Sequence, residues 1–174
     1  MQQEIINSSN IDNLTGLLNH LSFQERSSGE IYRAERYRHP LSLVILDIDN
    51  FRTYNETYGY PTGDSVLKDI ATIIKESTRK ADIISRYGPE EFAIILPEIK
   101  WKEAVVVAEK LREKIGSSVF ARDRNSSLEI TRLTVSLGVA EYKIGMGKEE
   151  FIKHAESALA EAKKRGKNRV SIYR

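Results

Sequence analysis

The sequence predicts a mixed α/β domain of the α+β sandwich type, with helices packed on a central, mostly antiparallel sheet. Segments with helical periodicity alternate with short β-rich runs. Residues 41–46 are apolar enough for a strand buried on both faces. Residues 82–96 hold two apolar runs around a turn, which is typical of an antiparallel hairpin. We expect one domain over residues 11–174, preceded by the end of a linker or stalk over residues 1–10.

Periodicity and boundary residues predict each element in turn. The first helix is expected to stop before Pro40, because a residue ahead of a proline usually leaves helical space. Gly116 and Gly166 are expected to end the last two helices. The predicted helices cover residues 19–37, 62–78, 100–115 and 148–164. The predicted strands cover residues 41–46, 82–85, 92–96, 131–142 and 169–173.

Composition excludes several classes of function. With 40% apolar and 30% charged residues the chain has a globular profile, and its net charge of +2 gives no electrostatic argument for nucleic-acid binding. The absence of cysteine excludes disulfides, thiol catalysis and thiolate metal sites. No run approaches the roughly 18 apolar residues of a membrane span. We therefore expect a cytoplasmic domain, alone or as part of a larger, membrane-anchored protein.

Acidic residues follow the apolar strand directly. Asp47 and Asp49 come at its end, and Glu90 and Glu91 follow the turn of the hairpin. Mg²⁺ takes one or two protein carboxylates and completes its octahedron with water and substrate phosphates. If the two strands are neighbours, the hairpin tip would supply the second ligand. The alternative is that Asp47 and Asp49 merely end a strand and cap a turn.

Eight motifs, in order and at consistent spacing, resemble those of one family. They are DNLTGLLN (12–19), DIDNF (47–51), Asn55 with Gly59, GD (63–64), RYGPEEF (86–92), TVSLGV (134–139), AK (162–163) and GKNRV (166–170). Together they resemble the GGDEF domains, which include the diguanylate cyclases. The resemblance covers nearly the whole chain, from Asp12 to Val170.

The resemblance implies a fold like the nucleotidyl cyclase catalytic domain and a specific reaction. Two GTP molecules condense to cyclic di-GMP with release of two pyrophosphates. Two copies of the domain face each other as a homodimer, and each copy holds one GTP. The 3′-hydroxyl of each GTP attacks the α-phosphate of the other GTP. Such phosphoryl transfer depends mainly on positioning and charge neutralisation, for which Mg²⁺ or Mn²⁺ is suited. An upstream sensor domain and no nucleic-acid partner are expected.

The resemblance also implies roles for individual acids. Asp47 and Glu90 match the metal-binding carboxylates, and Ile48 matches a residue that offers its backbone carbonyl. Glu91 matches an acid near the attacking hydroxyl or a metal. We take Asp47, Glu90 and Glu91 as the catalytic candidates.

Six further residues match substrate-binding positions. Asn55 and Asp64 match a pair that hydrogen-bonds the guanine edge, which discriminates against adenine because adenine would leave the carboxylate unpaired. Arg52, Lys163 and Lys167 match basic positions near the phosphates. Without the resemblance these would be turn residues, caps, surface cations and cations at a helix C-terminus. The whole set is Phe51, Arg52, Asn55, Asp64, Lys163 and Lys167.

A second site is implied by Arg79-Lys-Ala-Asp82. In the family this spacing resembles the inhibitory site that binds the product, cyclic di-GMP. An arginine fork suits phosphate and stacks on guanine, while an aspartate accepts from the base. The alternative is a cation at a helix end followed by an acid at a strand start.

The chain departs from the family pattern at the hairpin turn, where Gly88-Pro89 replaces two glycines. Proline removes a backbone N–H and excludes positive φ, but a type I turn with Pro at its second position would keep both acids. Two nucleotide functions therefore stay open, an active cyclase and a catalytically impaired module that binds GTP or cyclic di-GMP. A purely structural dimerisation domain, which would bind no nucleotide, is the third hypothesis. The milder departures are Arg52, Glu56, Tyr60, Glu156, Ala160 and Lys167.

Overall fold

The computed structural model describes residues 10–120 and 132–174. The predicted stalk lies almost wholly outside these ranges, as does residue 131. Within them the elements are α1 (His20–Tyr37), β1 (Leu41–Ile48), α2 (Phe51–Tyr58), α3 (Tyr60–Ser77), β2 (Ile83–Arg86), β3 (Glu91–Pro97), α4 (Trp101–Ser117), β4 (Val135–Glu141), α5 (Lys148–Lys164) and β5 (Val170–Ile172).

The five strands form one sheet in the order β2-β3-β1-β4-β5. All neighbours are antiparallel except β4 and β5, which run parallel. Central β1 is buried along its whole length, because helices cover both faces of the sheet. The predicted fold class, a mostly antiparallel sheet wrapped by helices, is confirmed.

Alternation along β1 decides which way its last acid points. Val44 and Leu46 pack in the cluster that contains α3 and α4, whereas Leu43 and Ile45 pack in the cluster that contains α1 and α5. Because side chains alternate along a strand, Asp47 belongs to the face covered by α1 and α5. The strand thereby directs this carboxylate toward α5.

Helix α5 lies unusually close to the sheet at Gly138 of β4. A Cβ at position 138 would overlap the backbone of Ala155 and Leu159, so only glycine allows this approach. The contact seats α5 on the sheet, and its C-terminal turn reaches the end of β1. Lys163 is thus brought beside Asp47.

Most predicted elements are confirmed, with corrected bounds. Strand β1 is longer than predicted and includes Asp47, whereas β4 and β5 are shorter. Gly116 does not end its helix, since α4 continues to Ser117. Helix α3 begins at Tyr60, earlier than predicted, with Pro61 in its first turn, where a missing N–H costs nothing.

Helix α2 was not predicted at all. It has eight residues, and its buried side chains are Phe51 and Tyr54, so its periodic signal is short. Among the helices of residues 10–120 and 132–174, none is both long and apolar enough to cross a membrane.

Candidate active site

Three acids, Asp47, Glu90 and Glu91, form what we term the acid cluster at one end of the sheet. Asp47 of β1 pairs with Glu91 of β3 in the strand register. The N–H of Ile48 donates to the carbonyl of Glu90 over 3.2 Å. The end of β1 and the tip of the hairpin are therefore neighbours in the structure, as the prediction of a shared site required.

The hairpin turn, residues 88–91, has the form of a type I turn. The N–H of Glu91 faces the carbonyl of Gly88 at 3.5 Å, and Pro89 occupies the second position. Pro89 and Glu90 are not among the residues with positive φ, which excludes type II. A Cβ at position 88 would lie 2.5 Å from the Glu91 carboxylate, so Gly88 leaves room for that acid.

Arg86 ties this turn to the segment before α1. Its Nη2 donates to the Pro89 carbonyl over 2.8 Å, and its Nη1 contacts Asp12 Oδ1 at 3.2 Å. Asp12 also accepts from the N–H and hydroxyl of Thr15, at 2.9 and 2.6 Å. Burial by itself would raise the pKa of Asp12, but the Thr15 hydrogen bonds and Arg86 lower it overall. The DNLTGLLN motif thus braces the turn.

Asp47 is a buried carboxylate with one oxygen unused. Only 5% of the residue is exposed, and its Oδ2 forms an ion pair with Lys163. Its Oδ1 is buried and has no hydrogen-bond partner among the described residues. Burial raises the pKa of Asp47 despite the lysine. A buried, half-paired carboxylate is costly without further compensation.

In Glu90 and Glu91, too, the ionised form of the carboxyl group is disfavoured. Burial, followed by the charge of Asp47, raises the pKa of Glu90 and also that of Glu91. Three carboxylates at one end of the sheet, facing one direct cation, form a site that would gain from additional positive charge.

The residues present fit a divalent cation of the magnesium type. No group of three or more His, Asp or Glu side chains within the described ranges is arranged to hold a metal. Mg²⁺, however, needs only one or two carboxylates from a protein. The unpartnered oxygen of Asp47, the adjacent Glu90 and the carbonyl of Ile48 supply that number.

Asp49, in contrast, is fully committed to the protein. It accepts from the hydroxyls of Thr134 and Ser136, both at 2.7 Å, and from the N–H of Asn168 at 3.0 Å. Its carboxylate therefore fixes the segment after α5 to the sheet. Of the two strand-end aspartates, Asp47 is the one with an open oxygen.

The predicted guanine pair lies where α2 and α3 meet. Asn55 of α2 has a buried Oδ1 with no partner in the described part of the chain. A Cβ at position 63 of α3 would overlap that oxygen and approach Phe51 to 3.3 Å. Asp64 follows next and is exposed. Phe51 is buried and lies beside Gly63 and Asn55 where the two helices meet.

The three predicted basic residues differ in their positions. Lys163 contacts the acid cluster directly. Lys167 donates to Asn50 Oδ1 over 2.7 Å, in a backbone conformation with φ of 63°. Arg52, whose side chain is 91% exposed, pairs with Glu56 one helical turn on. The structure brings the two lysines to the site, and Arg52 stays on the surface.

Arg79 and Asp82 lie at the opposite end of the sheet. The arginine donates from Nη2 to Asp82 Oδ1 over 2.7 Å and to the Pro97 carbonyl over 2.9 Å. Asp82 Oδ2 accepts from the backbone N–H of Arg79 at 2.7 Å. Beside them a cleft of about 810 Å³ extends to α1, with Lys80 and Arg33 in its wall. Asp82 therefore orients Arg79.

Sequence reasoning assigned no role to Asp12, Arg86 or Gly63, and it left Asp49 open between a metal-site carboxylate and a turn cap. Each stands inside a motif that the resemblance used, and that position was the available signal. Their functions depend on contacts between distant segments, such as Asp12 with Arg86, which spacing along the chain does not reveal.

The fold and the acid cluster define a class, the mixed α/β domains with a carboxylate-bearing hairpin beside the central strand. Within that class the assignment is direct. The family described as "Diguanylate cyclase, GGDEF domain" matches residues 9–169, and the chain belongs to the GGDEF domain family.

Relatives agree in sequence and in fold. The chain is 36% identical to Diguanylate cyclase A of Treponema denticola, over 91% of this chain and 40% of that protein. It is 34% identical to Diguanylate cyclase DosC of Escherichia coli, over 94% and 35%. The GGDEF domain of DgcB from Caulobacter crescentus in complex with c-di-GMP superposes with a TM-score of 0.91 at 32% identity, over 95% of this chain and 93% of that one. The chain spans 40% of the length of Diguanylate cyclase A and 35% of the length of DosC.

Proposed function

We propose that this domain is a diguanylate cyclase, which condenses two GTP molecules to cyclic di-GMP and two pyrophosphates. The observation that carries the proposal is the buried oxygen of Asp47 beside Glu90, which has no partner among the residues that the structure describes. An enzyme of triphosphate chemistry needs such an open carboxylate for a divalent cation, whereas a purely structural domain would gain from satisfying it.

Guanine recognition is supported by two acceptor side chains where α2 and α3 meet. The unpartnered Oδ1 of Asn55 and the exposed carboxylate of Asp64 are acceptors. The guanine edge presents N–H donors at N1 and at the exocyclic amine, so two acceptors match it. Adenine would leave the carboxylate without its donor.

The chemistry assigns distinct tasks to the charged residues. Each 3′-hydroxyl forms a new bond to the α-phosphorus of the facing GTP, pyrophosphate leaves, and the hydroxyl proton passes to a base. Glu91, whose pKa is raised by burial, suits that base. Lys163 and Lys167 would contact the phosphates. A bound Mg²⁺ or Mn²⁺, held by Asp47, Glu90 and the Ile48 carbonyl, would neutralise charge on the phosphates.

The alternative, an impaired domain that binds GTP or cyclic di-GMP without turnover, derives from Pro89. The type I turn argues against it, because Arg86 holds the Pro89 carbonyl and Glu91 keeps its place opposite Asp47. The turn retains both acids on a braced backbone. We therefore favour the active enzyme.

Partners follow from the reaction. Two copies must face each other, because each holds one GTP, and we infer a homodimer as the active form. We further propose that cyclic di-GMP binds beside Arg79 as an inhibitor, that an upstream sensor controls the dimer, and that the domain works in the cytoplasm, where GTP is available.

The test is incubation of concentrated protein with GTP and Mg²⁺, with products identified by chromatography and mass spectrometry. We expect cyclic di-GMP. Glu90→Ala should abolish product but keep GTP binding, whereas Asp64→Ala should weaken binding itself.

Two results would contradict this function. Binding of GTP without product, even after forced dimerisation through a fused coiled coil, would establish the impaired module instead. Absence of GTP binding in the parent protein would exclude both nucleotide functions.

A further inference from the structure

Tyr87, the residue before the hairpin turn, is held by contacts to its side chain and to its backbone. Its hydroxyl donates to Glu156 Oε1 on α5. Its backbone carbonyl accepts from His20 Nδ1 on α1 over 2.9 Å. Its ring meets Phe23 edge-on at 5.2 Å and His20 at 4.8 Å. Two helices therefore clamp one residue of the hairpin, α5 through its hydroxyl and α1 through its carbonyl and ring.

The protonation states suit this arrangement. Burial and the hydrogen bond to Glu156 raise the pKa of Tyr87 above its ordinary value, so the phenol keeps its proton and donates. A carbonyl can only accept, so His20 Nδ1 carries a hydrogen in this contact.

Tyr87 is coupled directly to the catalytic acid Glu91. The N–H of Tyr87 donates to the Glu91 carbonyl over 2.8 Å, and the N–H of Gly88 donates to the same oxygen over 3.2 Å. A movement of Tyr87 therefore displaces the backbone of Glu91. The fixed position of Tyr87 depends on the two clamping helices.

Helix α5 contacts both the residue before the hairpin turn and the acid cluster. Glu156 reaches Tyr87, and Lys163, two helical turns later, reaches Asp47. We propose that Glu156 is a positioning residue: through Tyr87 it fixes the hairpin turn, so that Glu90 and Glu91 are held against the Asp47–Lys163 pair. His20 completes the clamp from α1.

This inference rests on the proposed cyclase function for its catalytic consequence, but its structural part stands separately. Phosphoryl transfer between two bound nucleotides depends on placement, and a displacement of about 1 Å can cost about 100-fold in rate. A looser turn should therefore lower kcat. It should leave KM for GTP nearly unchanged, because Asn55 and Asp64 lie on other helices.

The experiment compares Glu156→Gln, Tyr87→Phe and the double variant with Glu161→Gln as the matched control. Glu161 is an exposed acid on the same helix, so its replacement removes the same charge. We expect kcat to fall about tenfold or more in both test variants, with no further loss in the double variant. Glu156→Asp, which keeps the carboxylate, should recover part of the rate.

Amide hydrogen exchange, followed by NMR, reads the clamp without turnover. Exchange at Tyr87 and Gly88 should accelerate in Glu156→Gln and Tyr87→Phe and stay unchanged in Glu161→Gln. Unchanged exchange in both test variants overturns the proposal, and so does unchanged kcat in an active parent. If the parent makes no product, the cyclase function fails, and the exchange rates alone then decide whether the clamp exists.

Discussion

At the scale of single residues, the ionised carboxylates of the acid cluster are destabilised by burial and by one another. Glu90 has its pKa raised by burial and by Asp47, so its ionised form is less favourable in the folded state than in the unfolded one. A carboxyl with a raised pKa contributes stability at low pH and loses it as the pH rises above its unfolded value. The cluster thus weakens the metal-free protein at neutral pH.

We predict that Glu90→Gln stabilises the metal-free protein while it abolishes turnover. At pH 7 the melting temperature should rise by about 1–3 °C, because an unfavourable charge is removed. The rate should fall by about 100-fold or more, because a carboxylate that we propose to bind the metal is lost. Differential scanning fluorimetry and product analysis measure the two effects.

The pH dependence provides the control for this prediction. At pH 4 Glu90 is largely protonated, and the two proteins should melt together. The difference should open as the pH rises toward 7. A variant that is less stable than the parent at pH 7 would contradict the assignment of electrostatic stress to this acid.

Gly63 is a second residue whose identity the site requires. A Cβ there would overlap Asn55 Oδ1, so Gly63→Ala should displace the amide and weaken GTP binding about tenfold or more, the equivalent of one lost hydrogen bond. Gly29→Ala is the matched control, because no other described atom lies within 4 Å of its added Cβ. Calorimetric titration with GTP measures both. Equal affinities for GTP in the two variants would refute the predicted pocket.

At this scale the sequence motifs were sufficient to select the candidate residues, but they did not predict which of them are saturated by hydrogen bonds within the protein. Asp47 and Asp49 have similar surroundings in the sequence, yet Asp49 satisfies three protein donors and Asp47 leaves one oxygen open. Which of the two is saturated depends on Thr134, Ser136 and Asn168, which are distant along the chain. Only the folded structure supplies those neighbours.

At the scale of elements, the hairpin turn decides between an active and an impaired domain. Pro89 occupies the second position of a type I turn, where its fixed φ is favourable, and its carbonyl is held by Arg86. Because proline limits the unfolded chain, its removal from a compatible position costs stability. The residue is therefore a stabilising part of this particular turn.

We predict that Pro89→Gly lowers the free energy of unfolding by about 0.4–1 kcal/mol and changes turnover by less than about tenfold. Urea denaturation and steady-state product formation measure the two quantities. Activity that appears only in the variant would show that the native turn disables catalysis, and the impaired-module interpretation would replace ours.

Long helices were predictable from their periodic patterns, and the short helix α2 was not. Helices α1 and α5 extend over 18 and 17 residues, which gives the pattern enough repeats to define their ends within a residue. Helix α2 has eight residues and depends on its packing against α3. Gly116 shows the opposite error, because a glycine near a helix end does not stop the helix when the surrounding chain continues to pack.

At the scale of the whole molecule, the sheet separates the two proposed sites, which lie at its opposite ends. The acid cluster lies at Asp47, opposite Glu91, whereas Arg79 contacts Pro97, which pairs with Leu41. Asp47 lies six positions after Leu41 along β1, and a strand rises about 3.3 Å per residue. The proposed product site and substrate site are therefore roughly 20 Å apart.

This separation predicts the type of product inhibition. A ligand at Arg79 cannot occupy the GTP site of the same copy, so added cyclic di-GMP should lower the maximal rate without raising KM for GTP. The effect must then act on how two copies face each other, or on the sheet between the ends. Initial rates measured over a range of GTP concentrations, at several concentrations of cyclic di-GMP, distinguish this pattern from competition.

Arg79→Ala tests whether this end of the sheet is responsible. The variant should need about tenfold or more cyclic di-GMP for the same inhibition, the equivalent of one lost charge-assisted contact, with its rate in the absence of product unchanged. Lys110→Ala, which removes the same charge from the exposed face of α4, should behave as the parent. Competitive inhibition by cyclic di-GMP, or equal inhibition of Arg79→Ala and the parent, would instead indicate that the product returns to the proposed GTP site where α2 and α3 meet.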